Sequence, residues 1–514
     1  MADIPSQAPL TEPTQTLTPD TPVALDESSR NTQAQSYVQE TVVVPPAGPQ
    51  AGGGENPFIP QGVVTGNAYV PPGAPPKSGG GSFLRRMLLI VVFFLFIAGA
   101  VFGGKYLLGS IGGAKGVTIT YWGLWENDAI VSPIIADFEA KNNKIKVQYI
   151  KQSPKQYRER LQAAIARGDG PDVFRFHNTW VAMLRNDLAM VPATVMTPSQ
   201  FSSAFYPVAN ADLVAGENIF GIPLEIDGLG LYYNEDLFAT AGVTPPTTWE
   251  EMLTVVPKLT VKNETTIITS ALALGTTGNI EHFSDIVATM IMQNGSSLRE
   301  PATKEAEEAL VFYRKFATPT DPVYTWNESL DNSVYAFASG KVAMILAPSW
   351  RAFDIKQINP DLRFKIAPIP QLPGSTVTWA SYWVEGVSAK SKNQEAAWQF
   401  MKYLTSRETA MKLYAQESKT RLFGEPYARI DLASSISDDP YVGSYVKQAQ
   451  NAKSFPLASR TFDNGINDKL IKYLEDAINS MIQNSEAPGA ALQTVSSGFR
   501  QVLSGYGLTS NAAP

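Results

Sequence analysis

From Val117 onward, alternation and helical spacing divide the chain into short strands and amphipathic helices. Val117-Thr-Ile-Thr-Tyr-Trp122 alternates apolar and polar positions as a strand does. Ser132-Pro133 offers an N-cap and a first-turn proline for a helix whose Ile134, Ile135 and Phe138 share one face. Residues 144–150 predict a second strand. Tyr157, Leu161, Ala164 and Ile165 form a helical stripe that stops at Gly168, and residues 171–176 predict a third strand. The order β-α-β-α-β implies a parallel sheet with helices on its faces. Ligands on such sheets bind at the carboxyl ends of the strands. Those ends are Trp122 to Trp125 and His177 to Trp180, two aromatic, polar loops expected on one rim.

Further along, the spacing predicts helices over 284–293 and 303–317, strands over 342–346 and 364–367, and an extended aromatic run over 379–387. A single long helix is expected over 395–415, and two more over 467–483 and 487–503. The stretch 221–252, GIPLEIDGLGLYYNEDLFATAGVTPPTTWEEM, is the most informative. Glu225 and Asp227 lie two residues apart, so an extended chain points both the same way. They directly precede the apolar run Leu229, Leu231, Tyr233, an odd place for charge. The pattern implies a chain passing a solvated cleft on its way into a second domain.

Ahead of the globular region, residues 1–82 are rich in Pro, Thr, Gln, Gly and Ser and poor in large apolar residues. Such a segment cannot bury enough surface to offset its conformational entropy and is expected to be a disordered tail. Residues 83–109 contain MLLIVVFFLFIAGAVFGGKYLL, uncharged from Met87 to Gly104. About twenty apolar residues span a hydrocarbon core of about 30 Å. Arg85-Arg86 and Lys77 outweigh Lys105, which places the tail in the cytoplasm and the bulk of the chain outside. Ala98-Gly99-Ala100 has the small-x-small form of a signal cleavage site, but signal peptides are far shorter than the segment preceding it. An uncleaved single-pass anchor is therefore expected.

Composition removes several functions. The net charge is −7 and no basic block is longer than Arg85-Arg86, which excludes the clustered bases that nucleic acid needs. There is no cysteine, so disulfides, thiolate nucleophiles, Cys-based zinc sites and a lipid-modified Cys anchor are all excluded. The two histidines, His177 and His282, lack metal-ligand spacing, and no cofactor or metal is expected. The pairs Glu225/Asp227 and Glu126/Asp128 have the residue types of a glycosidase, but neighbours on one strand are too close and too parallel to flank a bond. No enzyme activity is expected.

The ordered pieces ITYWGLW, FEAKN, GDGPDVF, IFGIPLEIDGLGLYYNEDLFATAGVTPPTTWEEM, AFASGKVAMILAPSW and SAKSKNQEAAWQFMKYLTS run over roughly 116–514. In order and spacing this region resembles the extracellular solute-binding proteins of ABC importers, of the maltose-binding type. The resemblance implies an α/β fold of two hinge-connected lobes. It places lobe 1 at about 116–226 and 386–425 and lobe 2 at about 229–381 and 435–514. The crossovers are expected at Glu225 to Gly228, near Ser381 to Gly386, and in the 420s or 430s. It further implies a membrane-tethered subunit that captures a sugar or oligosaccharide by lobe closure and delivers it to permease subunits. A solute sensor, or a binding protein for a polyamine or glycerol phosphate, is the alternative. Aromatics that stack on sugar rings and polar groups that bond hydroxyls give the candidate ligand contacts: Trp122, Trp125, Glu126, Asn178, Trp180, Glu225, Asp227, Trp350, Arg351, Tyr382 and Trp383. Asp227 and Trp350 match the family's pattern most specifically. The chain departs from that pattern in its N-terminal anchor, and in having Pro348-Ser349 where a glycine more usually precedes the Trp350 turn.

Overall fold

The computed structural model describes residues 116–508 except Thr265. The expected tail, membrane anchor and linker lie outside these residues. Among the described residues no helix is long and apolar enough to cross a membrane.

Two separate hydrophobic cores organise the chain. The first gathers apolar residues between Ile119 and Ile226 and again between Ala380 and Leu413. The second gathers Leu229 to Trp379 and most of the chain from Phe423 to Leu503. Each core backs one sheet. In the first sheet the order is Ile145–Lys151, Val117–Gly123, Val173–His177, Trp383–Ser388, Leu188–Ala189, with Ile222–Pro223 also on the Trp383 strand. Val117–Gly123 pairs in parallel with both of its neighbours, and Trp383–Ser388 runs antiparallel to Val173–His177. The second sheet has the order Phe364–Ala367, Gly230–Asn234, Val342–Ala347, Thr266–Leu272, Val261–Asn263.

Local chemistry sets most element ends. The Tyr157–Arg167 helix buries Tyr157, Leu161, Ala164 and Ile165, and it stops at Gly168, whose φ of 83° is left-handed and free of Cβ strain. Two elements differ from the periodicity. The first helix spans Asp128–Lys141 with Asn127 as N-cap, so Pro133 lies inside it rather than in its first turn. Burial of Ile130 and Val131 against the first core draws the start forward. The long helix expected over 395–415 is two, Gln394–Leu404 and Arg407–Glu417. The break is a cap: the Ser406 side chain accepts from Thr409 N, which a continuous helix would not need.

The chain passes between the cores three times, and the crossings lie side by side. Ile226 N donates to Pro426 O at 2.9 Å, and Ser381 N donates to Asp227 O at 2.9 Å. Backbone bridges join Glu225 to Tyr427 and Gly228 to Ala380. At Gly228 a Cβ would overlap the Trp379 carbonyl oxygen, so this crossing needs glycine for close approach. The return to the first sheet is complete by Trp383, which pairs with His177, and so comes earlier than position 386.

Candidate functional site

The carboxyl ends of the first sheet's strands carry an aromatic wall. Trp383 is its centre because its strand register sets it opposite His177. Its ring meets Trp125 at 5.5 Å, His177 at 5.1 Å and Trp180 at 5.4 Å, each edge to face. Trp125 and Trp383 keep partly exposed faces, whereas Trp180 is buried against Trp383; Trp122 is partly exposed too but makes no ring contact with this group. Burial pushes the His177 imidazole down to about 3, so it stays neutral, with its ring nitrogens at 2.8 Å from Thr179 Oγ1 and 3.1 Å from Ser381 Oγ.

On the second lobe Trp350 is also partly exposed. The Arg351 guanidinium lies 4.1 Å from its ring centroid and His282 meets it edge-on at 5.7 Å. Arg351 is itself committed to acids, with Nη2 on Glu281 at 3.0 Å and Nη1 on Asp354 at 2.6 Å. His282 Nδ1 lies 2.7 Å from Ser459 Oγ. The segment 459–467 continues to the first lobe, where Asn467 Nδ2 donates to Thr179 Oγ1 at 2.7 Å. Arg158 Nε donates to Asp463 O, also at 2.7 Å. The two lobes therefore touch, and one segment links the surroundings of Trp350 to those of Trp383.

The polar residues read from the sequence are used internally. Asn178 Nδ2 donates to Asp212 at 2.8 Å, its Oδ1 accepts from Tyr382 N at 3.2 Å, and Tyr382 Oη donates to Asp212 at 2.7 Å. That closed knot underlies the wall. Asp227 accepts from Gly228 N at 2.8 Å, from Ser349 N at 3.1 Å and from Ser349 Oγ at 2.9 Å, and so fastens the turn that presents Trp350. Glu225 Oε1 accepts from Trp383 N at 3.3 Å. Glu126 Oε1 accepts from Arg175 Nη1 at 2.7 Å. Burial opposes the charge on Glu126, but Arg175 outweighs it and holds the carboxyl below its usual range. Glu225 is pushed well up by burial and by Glu425. Glu126 and Glu225 line a cavity with room for about one water-sized sphere, too small for a sugar ring.

Arg175 was not among the sequence candidates, although a basic residue inside the otherwise apolar run VFRF was the available signal. Thr179, Asp463 and Asn467 gave no local signal, because their importance comes from pairing across the lobes.

Asp227 gives a pH prediction. Burial, partly offset by bonds from Gly228 and Ser349, raises its carboxyl from 3.8 to about 7. Between those values the native chain holds a proton that the unfolded chain has lost. Its stabilising contribution is therefore complete below about pH 4 and is lost as pH rises through about 7. Asp227→Asn keeps an acceptor for both backbone donors and removes the titration. The variant is expected to match the wild-type melting temperature at low pH and to exceed it near neutrality, each tenfold change in the carboxyl's proton affinity being worth about 1.4 kcal/mol. Parallel melting curves across the whole range would contradict this.

Residues 124–411, more than half the chain, match the family described as bacterial extracellular solute-binding protein. The chain belongs to this family. Among relatives of this solute-binding protein, the multiple sugar-binding protein of Streptococcus mutans is 26% identical over 311 residues, 58% of this chain and 73% of its own length. For putative binding proteins of Brucella the match covers 64% of the relative's length. The sugar-binding protein MalE from Xanthomonas citri superposes with a TM-score of 0.62 at 19% identity, covering 76% of this chain and 98% of that one. A cyclo/maltodextrin-binding protein complexed with maltotetraose gives 0.61 at 19% identity, with the same coverage. At such identity these structures show the fold, two α/β domains of the periplasmic-binding-protein type. The family binds solutes rather than transforming them, so the buried carboxylates of this solute-binding protein need no catalytic role.

Proposed function

We propose that this protein captures a neutral sugar or oligosaccharide between its lobes and delivers it to the permease of an ABC importer, with the apolar segment at 83–109 tethering it outside the membrane. The observation that carries this reading is the aromatic wall of Trp125 and Trp383, backed by Trp180 and His177, with Trp350 on the other lobe. Sugar rings present apolar C–H faces that stack on such surfaces. Trp122, Trp125, Trp383 and Trp350 supply the stacking, and Arg351, paired with Glu281 and Asp354, steadies the Trp350 ring. Asn178, Tyr382 and Asp227 hold these rings in place from behind. Support also comes from the relatives, one named for multiple sugars and one structure holding maltotetraose.

Closure fits the hinge. Three adjacent crossings let the lobes rotate, and a ligand touching both favours the closed form by its differential affinity. The test is a thermal-shift panel of maltodextrins, manno- and xylo-oligosaccharides and ketohexoses, set against a polyamine and glycerol phosphate. A ligand that binds only the folded state raises the melting temperature by mass action. A shift from a saccharide supports the reading. A shift from the polyamine or the phosphate ester, with none from any saccharide, overturns it.

A further inference from the structure

The cavity lined by Glu126 and Glu225 adjoins the aromatic wall, since Glu126 follows Trp125 and Glu225 accepts from Trp383 N, and its lining is rich in acids. We propose that it is a site for one hard divalent cation of the calcium type, held by Glu126, Glu417 and Glu425. One carboxylate oxygen from each of these residues lies within 4.8 Å of the others. Oxygen ligands sit about 2.3–2.6 Å from calcium, so ligands on one ion are separated by no more than about twice that. The cavity has room for about one water-sized sphere, which suits a single ion.

One carboxylate oxygen here has no partner although its residue is almost wholly buried. Glu126, 2% exposed, gives Oε1 to Arg175 and leaves Oε2 unbonded. Glu417, 1% exposed, has Oε2 on Glu425 N at 2.7 Å and Oε1 on Arg421 Nη2 at 2.7 Å. Isolated buried carboxylate charge is costly unless it is compensated. Glu126, Glu225, Glu417 and Glu425 line the cavity together with Arg175, which pairs with Glu126, while Arg421 pairs with Glu417 and Glu425. The four carboxyl groups outnumber the two guanidinium groups.

The donor set identifies the cation class. Apart from the Arg175 guanidinium, which is turned to Glu126, the polar lining side chains offer carboxylate and phenol oxygens and no histidine or sulfur, which disfavours zinc and copper. Magnesium demands a near-ideal octahedron at about 2.0–2.1 Å, whereas calcium accepts a wider and less regular set of oxygens. The placement has a mechanical consequence. Glu126 follows the first strand of lobe 1, Glu417 ends the Arg407–Glu417 helix, and Glu425 enters the third crossing. A bound cation ties that crossing to lobe 1 at the residue that follows Trp125.

The test uses the full chain in detergent, stripped with EDTA and dialysed. Calcium sites of extracellular modules have dissociation constants of about 0.1–1 mM, so CaCl2 at about 10 mM saturates such a site. The expected result is a saturable rise of several degrees in melting temperature with CaCl2 and a smaller one with MgCl2. Both are lost in Glu417→Gln and in Glu425→Gln. Should either variant fold poorly, terbium on the wild-type chain gives an independent readout. Tyr414 and Tyr427 line the cavity and should sensitise its luminescence, and calcium should compete it away. An unchanged melting curve together with no calcium-competed terbium emission overturns the site. So does a calcium shift that persists undiminished in folded Glu417→Gln and Glu425→Gln.

Discussion

Arg175→Met should melt on the order of 10 °C below the wild-type chain. Arg175 lies in the centre of the first sheet and its side chain is 3% exposed. Its Nη1 is 2.7 Å from Glu126, its Nη2 is 2.6 Å from Glu385, and Tyr121 Oη donates to the same Glu385 carboxylate at 2.9 Å. The cross-strand register puts Glu385 directly opposite Arg175. Methionine fills most of the volume but leaves two buried carboxylates without their counter-ion. Breaking a buried pair from one side costs about 3–5 kcal/mol, and in a domain of this size each kcal/mol moves the midpoint by about 2–4 °C. Burial already raises the Glu385 carboxyl in spite of Arg175, so the variant should recover part of its stability at acid pH as both acids take up protons. Arg363→Met, which removes an exposed pair with Asp236, is the control and should leave the melting temperature essentially unmoved. Calorimetry of the two variants checks this. Equal melting temperatures would show that the network contributes nothing to the first lobe.

Trp383→Ala should weaken saccharide binding by about 10- to 100-fold, measured by isothermal titration with whichever sugar gives the largest thermal shift. Trp383 touches Trp125, His177 and Trp180 and still keeps an exposed face, so it organises the wall as well as presenting a stacking surface. Interface tryptophans commonly account for about 2 kcal/mol or more on truncation, and each 1.4 kcal/mol is about tenfold in affinity. Trp398→Ala supplies the contrast. Trp398 is 6% exposed and packs in the first core away from the wall. Its truncation should cost about 3–5 kcal/mol of stability and leave the affinity of the folded fraction unchanged. Equal affinity for Trp383→Ala and wild type would remove Trp383 from the binding surface.

Which parts of this arrangement were legible in the sequence follows from the range of the interactions involved. Strand alternation and the stripe at Tyr157, Leu161, Ala164 and Ile165 are local, and the parallel pairing of the first three strands follows from them. The two aromatic loops were legible as strand ends, and the structure brings Trp125, His177 and Trp180 together around Trp383. Side-chain partners were not legible. Tyr121 and Glu385 are 264 residues apart, so no spacing rule could reveal their bond. For the same reason Glu126, Asn178, Glu225, Asp227 and Tyr382 read as free polar groups, whereas the fold gives each a partner within it. The break at Ser406 was a readable cap that helical periodicity on both sides concealed.

Hydrogen–deuterium exchange of the full chain, with and without the saccharide that gives the largest thermal shift, tests lobe closure over a sugar most directly. The expected result is simultaneous protection on both lobes: residues 121–126, 177–180 and 381–384 on the first, and 349–351 and 459–467 on the second. Protection confined to one lobe, or no change with any saccharide that shifts the melting curve, would contradict capture between the lobes.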